Sequence, residues 1–194
     1  MRILLHTCCG PCSIFPLRVL AEEGWQISAL YYNPNIHPYR EWQRRLETLQ
    51  TYLGEREVPL AVPDEYDLKG YLESVLPWAD HKGNRCAHCY RLRLREAARQ
   101  ARAGGYDTFT TTLLVSPYQD HQAVAEAGRE AQEEAGLPFL YRDFRSGWKE
   151  AVAESRALGM YRQPYCGCVF SERERYFRPG RLPGVPPGSM SGEG

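Results

Sequence analysis

Seven cysteines in three groups are the strongest chemical signal in the chain: Cys8, Cys9 and Cys12 in HTCCGPCS, Cys86 and Cys89 in RCAHC, and Cys166 and Cys168 in YCGC. A C-x-x-C at a loop-to-helix junction aims two thiolates at one centre. Two such groups supply the four thiolates that zinc or a 4Fe-4S cluster takes. More than 70 residues separate the first two groups, whereas the halves of a zinc ribbon lie about 15 to 20 residues apart. A whole domain must therefore fold to bring them together. A zinc staple is the plain structural alternative, but a domain of this size with its own core has little need of one.

Within the first group, Cys9 and Cys12 make the usual C-x-x-C, and Cys8 points away from Cys9 as long as the strand stays extended. A sharp bend at Gly10-Pro11 would instead turn both adjacent thiols inward. Cys12 would then lie alongside in the first helical turn, its pKa depressed by the helix N-terminus. Spacing leaves both readings standing. The third group differs: two cysteines separated by one glycine can bond, and the short loop makes that disulfide strained and oxidising. Cys166 and Cys168 read as a redox pair, with additional metal ligation as the alternative.

The elements that must position these groups follow from the apolar pattern. Short β-rich runs at 3–7, 27–32, 60–62, 108–114 and 139–141 alternate with helical patterns at 14–23, 40–53, 89–103 and 119–135. Each helical pattern ends at a glycine placed for a left-handed cap. The predicted fold is α/β: a doubly wound, mainly parallel five-stranded sheet flanked by helices, with a cysteine-bearing helical insertion and C-terminal segment. Ligands of such sheets bind beyond the carboxyl ends of the strands, where the first cysteines stand. Segments 68–75 and 149–158 read as further short helices and 77–85 as a polar loop. Residues 1–176 make one domain, and 177–194 a disordered tail with little to bury.

Composition sets the outer limits. No apolar run reaches the roughly 18 residues of a membrane span, and Arg2 followed by Ile3-Leu4-Leu5 is no signal-peptide core, so a cytoplasmic location is expected. Thiols there favour metal or redox work over structural disulfides. Formal charge is zero, with 24 basic and 24 acidic residues, which argues against a generic nucleic-acid coat but leaves room for a local basic patch. Nearly all the basic residues are arginine. Candidate phosphate contacts are Arg40, Arg44 and Arg45 on one predicted helix and Arg91, Arg93 and Arg95 on another; a solvated helix face is the commoner meaning of such runs.

Three stretches bear on a substrate. YYNPNIHPYREW, with Tyr31, Tyr32, Asn33, Asn35, His37 and Trp42, follows the second strand and suits stacking and hydrogen bonding to a base or ribose. TTTLLVSPYQDHQ, with Ser116, Tyr118 and Gln119, follows the fourth strand and opens a helix whose free N–H groups could hold a phosphate, unless Ser116 is an ordinary N-cap with Pro117 at the first helical position. Asp143 and Arg145 end the fifth strand at the same rim. His88, between two ligand candidates, reads as a supporting or solvent-facing residue.

Taken in order, LLHTCCGPCS, YYNPNIHPYREW, RCAHCYRLRL, FTTTLLVSPYQDH, DFRSGWKEA and YRQPYCGCVFS resemble the QueH family of epoxyqueuosine reductases, up to about Tyr176. The resemblance implies reduction of epoxyqueuosine to queuosine at the wobble position of tRNA anticodons, with loss of water. It also implies a 4Fe-4S cluster on Cys8, Cys9, Cys86 and Cys89, a redox-active pair at Cys166 and Cys168, and room for one additional iron or zinc ion, with Cys12 as a neighbour or ligand. No cobalamin, flavin or NAD is expected, no G-x-G-x-x-G occurs, and the electron donor is unidentified. Two other readings compete: an ATP-dependent tRNA thiolation or adenylation enzyme, which would want a glycine-rich loop where Cys8 to Cys12 stand, and a zinc-stabilised, non-catalytic RNA-binding protein.

Overall fold

The computed structural model describes residues 1–178; most of the tail expected at 177–194 lies outside them. Four parallel strands, β1 (Arg2–His6), β2 (Gln26–Leu30), β3 (Leu60–Ala61) and β4 (Thr108–Thr111), pair in the order β3-β2-β1-β4. β1 is central, Ile3 standing opposite Ile27 on one side and Thr108 on the other. It is buried from Ile3 onward, as a strand covered on both faces must be. The chain winds outward through α1 (Gly10–Glu22) and α2 (Tyr39–Gly54). It then passes through α3 (Leu68–Val75) and α4 (Lys82–Ala103) to β4 on the far side of β1, and continues into α5 (His121–Ala135), α6 (Trp148–Ala157) and α7 (Val169–Tyr176). The direction of winding reverses between β1 and β4. A doubly wound sheet opens its ligand crevice at such a reversal.

The expected fifth strand is reduced to a bridge between Phe139 and Phe109. Pro138 has no N–H to continue the ladder, and the hydroxyls of Thr108 and Thr110 bond the carbonyls of Pro138 and Leu140, each at 2.7 Å. Several helix boundaries also differ from expectation. α1 starts at Gly10, with Pro11 in its first turn, so Cys12 is already helical. α4 starts at Lys82 rather than 89, within the expected polar loop, so Cys86 and Cys89 share one face a turn apart. The N-cap of α5 is Asp120, which accepts from the N–H of Ala123 at 3.0 Å, and not Ser116. After α2 the left-handed residue is Glu57 rather than Gly54, while Gly136 does cap α5 with φ 61°. α7 carries no expectation from the sequence.

The core fills both faces of the sheet. Ile14, Leu17 and Leu20 of α1 and Leu46, Leu49 and Leu53 of α2 bury their apolar stripes, and α4 packs along α5 through small residues such as Ala97, Ala101, Ala127 and Ala131. Among the described residues, no helix is long and apolar enough to cross a membrane.

Candidate metal and redox site

Beyond the carboxyl ends of β1 and β4 lies a cavity of about 1070 Å³, and all seven cysteines line it. The first group forms its floor. His6, the last residue of β1, is locked on both sides: the Thr111 hydroxyl meets its Nδ1 at 2.8 Å, and its Nε2–H donates to the Tyr32 carbonyl at 3.0 Å. Burial keeps that imidazole neutral, its pKa lowered to about 4. Asn33 donates to the Thr7 carbonyl at 2.8 Å, fixing the exit of the strand. Helix α1 then begins at Gly10, where a Cβ would come within 3.0 Å of Thr48 on α2.

This bend makes the sulfurs of Cys8, Cys9 and Cys12 converge within 4.8 Å of one another. The adjacent pair are 3.9 Å apart. The sharp bend is thus the reading the structure bears out, with Cys8 turned toward Cys9 and Cys12 alongside in the first helical turn. The expected depression of the Cys12 pKa by the helix N-terminus does not follow, because its sulfur neighbours and burial outweigh it. Thr112 accepts from the Cys8 N–H at 3.1 Å and its hydroxyl reaches the Cys8 sulfur at 3.4 Å. Hydrogen bonds from Cys12, Cys9 and Thr112, with Arg93 nearby, hold the Cys8 thiol well below its ordinary range. Cys12, bonded to the Cys8 and Cys9 sulfurs and buried, is pushed well above it. Metal binding would displace the remaining protons.

Cys86 and Cys89 enter from the first turns of α4. Burial, then the nearby Cys166 and Cys89 sulfurs, raises the Cys86 thiol to about 11, and burial raises Cys89. The third group closes the cavity. Its loop is held from α2 by Arg45, which donates to the carbonyls of Cys166 at 2.8 Å and Tyr165 at 3.3 Å while pairing with Glu41 at 2.7 Å. The N–H of His37 donates to the Gly167 carbonyl at 2.9 Å. Gly167 itself has φ 106°, and a Cβ there would stand 2.8 Å from Ile36 and 3.0 Å from Arg45, so only glycine fits. Cys166 and Cys168 are free thiols. A hydrogen bond from Cys168 lowers the Cys166 pKa to about 5 and raises its own, and Tyr71 donates to the Cys168 sulfur at 3.6 Å.

Arg45 and Arg93, expected among phosphate contacts on solvated faces, are instead 2% and 3% exposed and line the cavity. Arg45 has Glu41. Arg93 pairs with no carboxylate among the described residues; its one hydrogen bond is from Nε to the Cys89 carbonyl at 3.4 Å, and against burial its ionised form is favoured by Cys89, Cys8, Tyr90 and Cys166. A buried, unpaired guanidinium is costly unless an anion stands beside it. Thiolates from all three groups are the anions within reach, and a thiolate-ligated iron–sulfur cluster would keep them ionised. The donor set and this uncompensated cation fit such a group.

Other candidates separate cleanly. Ser116, Tyr118 and Gln119 line the cavity; Tyr90 donates to Gln119 at 2.8 Å. Asn33, Asn35 and His37 are buried and do not line the cavity; Asn33 braces the first cysteine group through Thr7 and His37 the third through Gly167. Tyr32 faces a separate hollow beside Arg95 and Arg99. Asp143 is exposed, away from the cavity, and engaged by Arg145 at 2.9 Å. Arg91 and Arg95 pair with Glu130 and Glu134, and Arg44 lies over the Tyr161 ring. The sequence reading assigned no role to Trp148, Arg156, Arg162, Gln163 and Arg175, all on the cavity; the available signals were that Trp148, Arg162 and Gln163 fall within DFRSGWKEA and YRQPYCGCVFS and that Trp148, Val152 and Arg156 repeat at helical spacing.

Residues 3–174 match the model of the family described as epoxyqueuosine reductase QueH. The chain belongs to the QueH family. An epoxyqueuosine reductase QueH from Dehalococcoides mccartyi is 35% identical over 92% of this chain and 96% of its own length. A second QueH, from Thermotoga maritima, is 33% identical over 89% and 91%. The fold also resembles a predicted subunit of tRNA methyltransferase from Methanocaldococcus jannaschii, with a TM-score of 0.56, 14% identity and coverage of 80% and 74%. At that identity the likeness concerns the fold alone. In this QueH the N-terminus of α1, where a glycine-rich loop would hold a nucleotide phosphate, presents three sulfurs instead.

Proposed function

We infer that this QueH reduces epoxyqueuosine to queuosine in tRNA, in the cytoplasm and without cobalamin, using a 4Fe-4S cluster on Cys8, Cys9, Cys86 and Cys89. The observation that carries the reading is the convergence of all seven cysteines and the unpaired Arg93 on one cavity at the sheet's reversal point. Opening the epoxide and expelling its oxygen as water consumes two electrons and two protons. Oxidation of the Cys166 and Cys168 dithiol to a disulfide releases two of each, so the reaction balances; an external reductant then restores the dithiol. The bound metal centre supplies a Lewis acid for the departing oxygen.

The protein's own residues do the rest. Arg93 holds positive charge beside the thiolates, Tyr71 orients the Cys168 sulfur, and Arg45 fixes the loop that presents the pair. Cys12, within 4.8 Å of Cys8 and Cys9, is placed to ligate an additional iron or zinc ion. Ser116, Tyr118 and Gln119 are available to the nucleoside. Anaerobically reconstituted protein with excess chemical reductant should convert epoxyqueuosine tRNA to a product one oxygen lighter on nucleoside mass analysis, with no gain from added cobalamin, flavin or ATP. No oxygen loss despite verified iron and sulfide would overturn the assignment. A colourless, zinc-only protein with full tRNA affinity would favour the non-catalytic RNA-binding reading.

A further inference from the structure

The charge of this chain is zero overall, yet the cavity is not neutral. Eight lysine or arginine side chains line it against a single carboxylate, Glu174. That carboxylate is already engaged by Arg85 and lies 3.8 Å from Lys82. Arg45 and Arg93 belong to the buried machinery, but Arg156, Arg162 and Arg175 are exposed and form no ion pair among the described residues. They come from the last turn of α6, the connection leading to Cys166, and α7. Arg162 stands four residues before Cys166.

The same lining carries six aromatic rings, and two of them, Tyr118 and Trp148, meet beside the arginines. Tyr118 is 82% exposed, and its ring meets Trp148 edge-on at 5.9 Å and 85°. Trp148, Val152 and Arg156 form one stripe of α6 at intervals of four residues, all on the cavity. The stripe is ~12 Å long at 1.5 Å per residue, room for a short run of nucleotides. An exposed ring, Tyr118, against a half-buried one, Trp148, beside unpaired guanidinium groups matches single-stranded nucleic acid, whose bases offer flat faces and whose phosphates offer negative charge. An acidic protein surface would satisfy the cations but give the rings nothing to stack on.

We propose that Tyr118 and Trp148 together with Arg156, Arg162 and Arg175 form the docking surface for the single-stranded RNA segment that carries the reacting nucleoside: bases stack on the aromatics, and the backbone crosses the arginines. This deepens the tRNA reading above and rests on it. The probe is a fluorescent anticodon stem-loop RNA with an unmodified guanosine at the reacting position, titrated by anisotropy across a salt series. Neither turnover nor a loaded cluster is needed.

Replacing any of the three arginines with Ala should weaken binding and lower the salt slope by about 0.7 for each phosphate no longer neutralised. Tyr118→Ala should weaken binding by roughly fivefold or more while leaving the slope unchanged, since stacking is worth about 1–3 kcal/mol per base. Arg129→Ala, exposed and away from this cavity, should bind as the parent does. If the parent binds RNA and all four rim variants match it, the surface is wrongly assigned although the tRNA reading survives. If the parent binds no RNA at any salt, both fall. If the rim variants lose affinity for an acidic electron-carrier protein but not for RNA, the rim docks a reductant and the proposal is overturned.

Discussion

Cys8, Cys9 and Cys12 are held between a paired strand and a helix, whereas Cys166 and Cys168 are held in a loop by a few tethers from other elements. The first group leaves a strand paired on both sides and enters a helix after only Thr7, Cys8 and Cys9, so its geometry inherits the rigidity of the sheet. The third sits in a short loop with no strand partner, suspended from Arg45, the His37 amide and Tyr71. The difference suits the two tasks proposed above for the two groups. Metal ligands must keep one geometry, while a dithiol must change its sulfur–sulfur distance each time it is oxidised and reduced. A loop held by a few tethers can do that without disturbing the sheet.

The sharpest way to break the comparison is to remove one sulfur from each side. Cys8→Ser should abolish iron binding and the brown colour of reconstituted protein; Cys12→Ser should keep them at least in part. Cys166→Ser and Cys168→Ser should keep the full complement of iron yet give no turnover. Iron analysis and single-turnover assays settle this, and loss of iron from the last two variants would make them ligands and erase the distinction.

Next in size is the contrast between two buried arginines. Arg45→Met leaves Glu41, 8% exposed, without its cation and with only the Tyr161 hydroxyl as donor, and frees the loop carbonyls. Breaking a buried pair in this way costs about 3–5 kcal/mol, to be read in denaturant unfolding, with the dithiol becoming more reactive. Arg93→Met removes a cation that has no carboxylate to strand. Its effect should fall on the loaded protein, as a shift of the reduction potential to more negative values by about 59 mV for each tenfold loss of preference for the reduced form in a one-electron couple. Equal destabilisation of the metal-free protein by both variants would remove the contrast.

These two arginines also show where the sequence could be read and where it could not. Strands β1, β2 and β4 and helix α3 follow from their apolar runs, and the α/β order with them. Arg45 was misplaced although its helical phase was visible: it precedes Leu49 and Leu53 by four and eight residues, on the apolar stripe of α2. Arg93 likewise precedes Ala97 and Ala101. Residue type suggested phosphate, and periodicity, the stronger signal, put both inside. The start of α4 was hidden because Lys82, Gly83 and Asn84 bury nothing and the last two form helix poorly. The role of 31–42 was hidden for a different reason. Aromatics and amides that support a loop have the same composition as aromatics and amides that bind a base, and only the fold separates them.

A smaller effect tests the dithiol's asymmetry. With Cys166 held near pKa 5 by the Cys168 hydrogen bond, it is the thiolate at neutral pH, and its alkylation rate should level off above about pH 6 instead of climbing through the ordinary thiol range. In Cys168→Ala the donor is gone, and the inflection should move up. An unchanged profile would mean that the pair is not coupled.

The smallest expected effect isolates one tether of the loop. Tyr71→Phe deletes only the hydroxyl that donates to the Cys168 sulfur at 3.6 Å, and since sulfur is a weak acceptor the stability loss should be no more than about 1 kcal/mol. That hydroxyl favours the Cys168 thiolate, so its loss makes Cys168 a poorer leaving group when an incoming thiol attacks Cys166. Reduction of the disulfide by dithiothreitol, followed by quenching and mass analysis, should therefore slow by roughly two- to threefold while iron content stays that of the parent. Faster reduction would reverse the assigned polarity of the pair, and loss of iron would show that the third group shares the scaffold of the first.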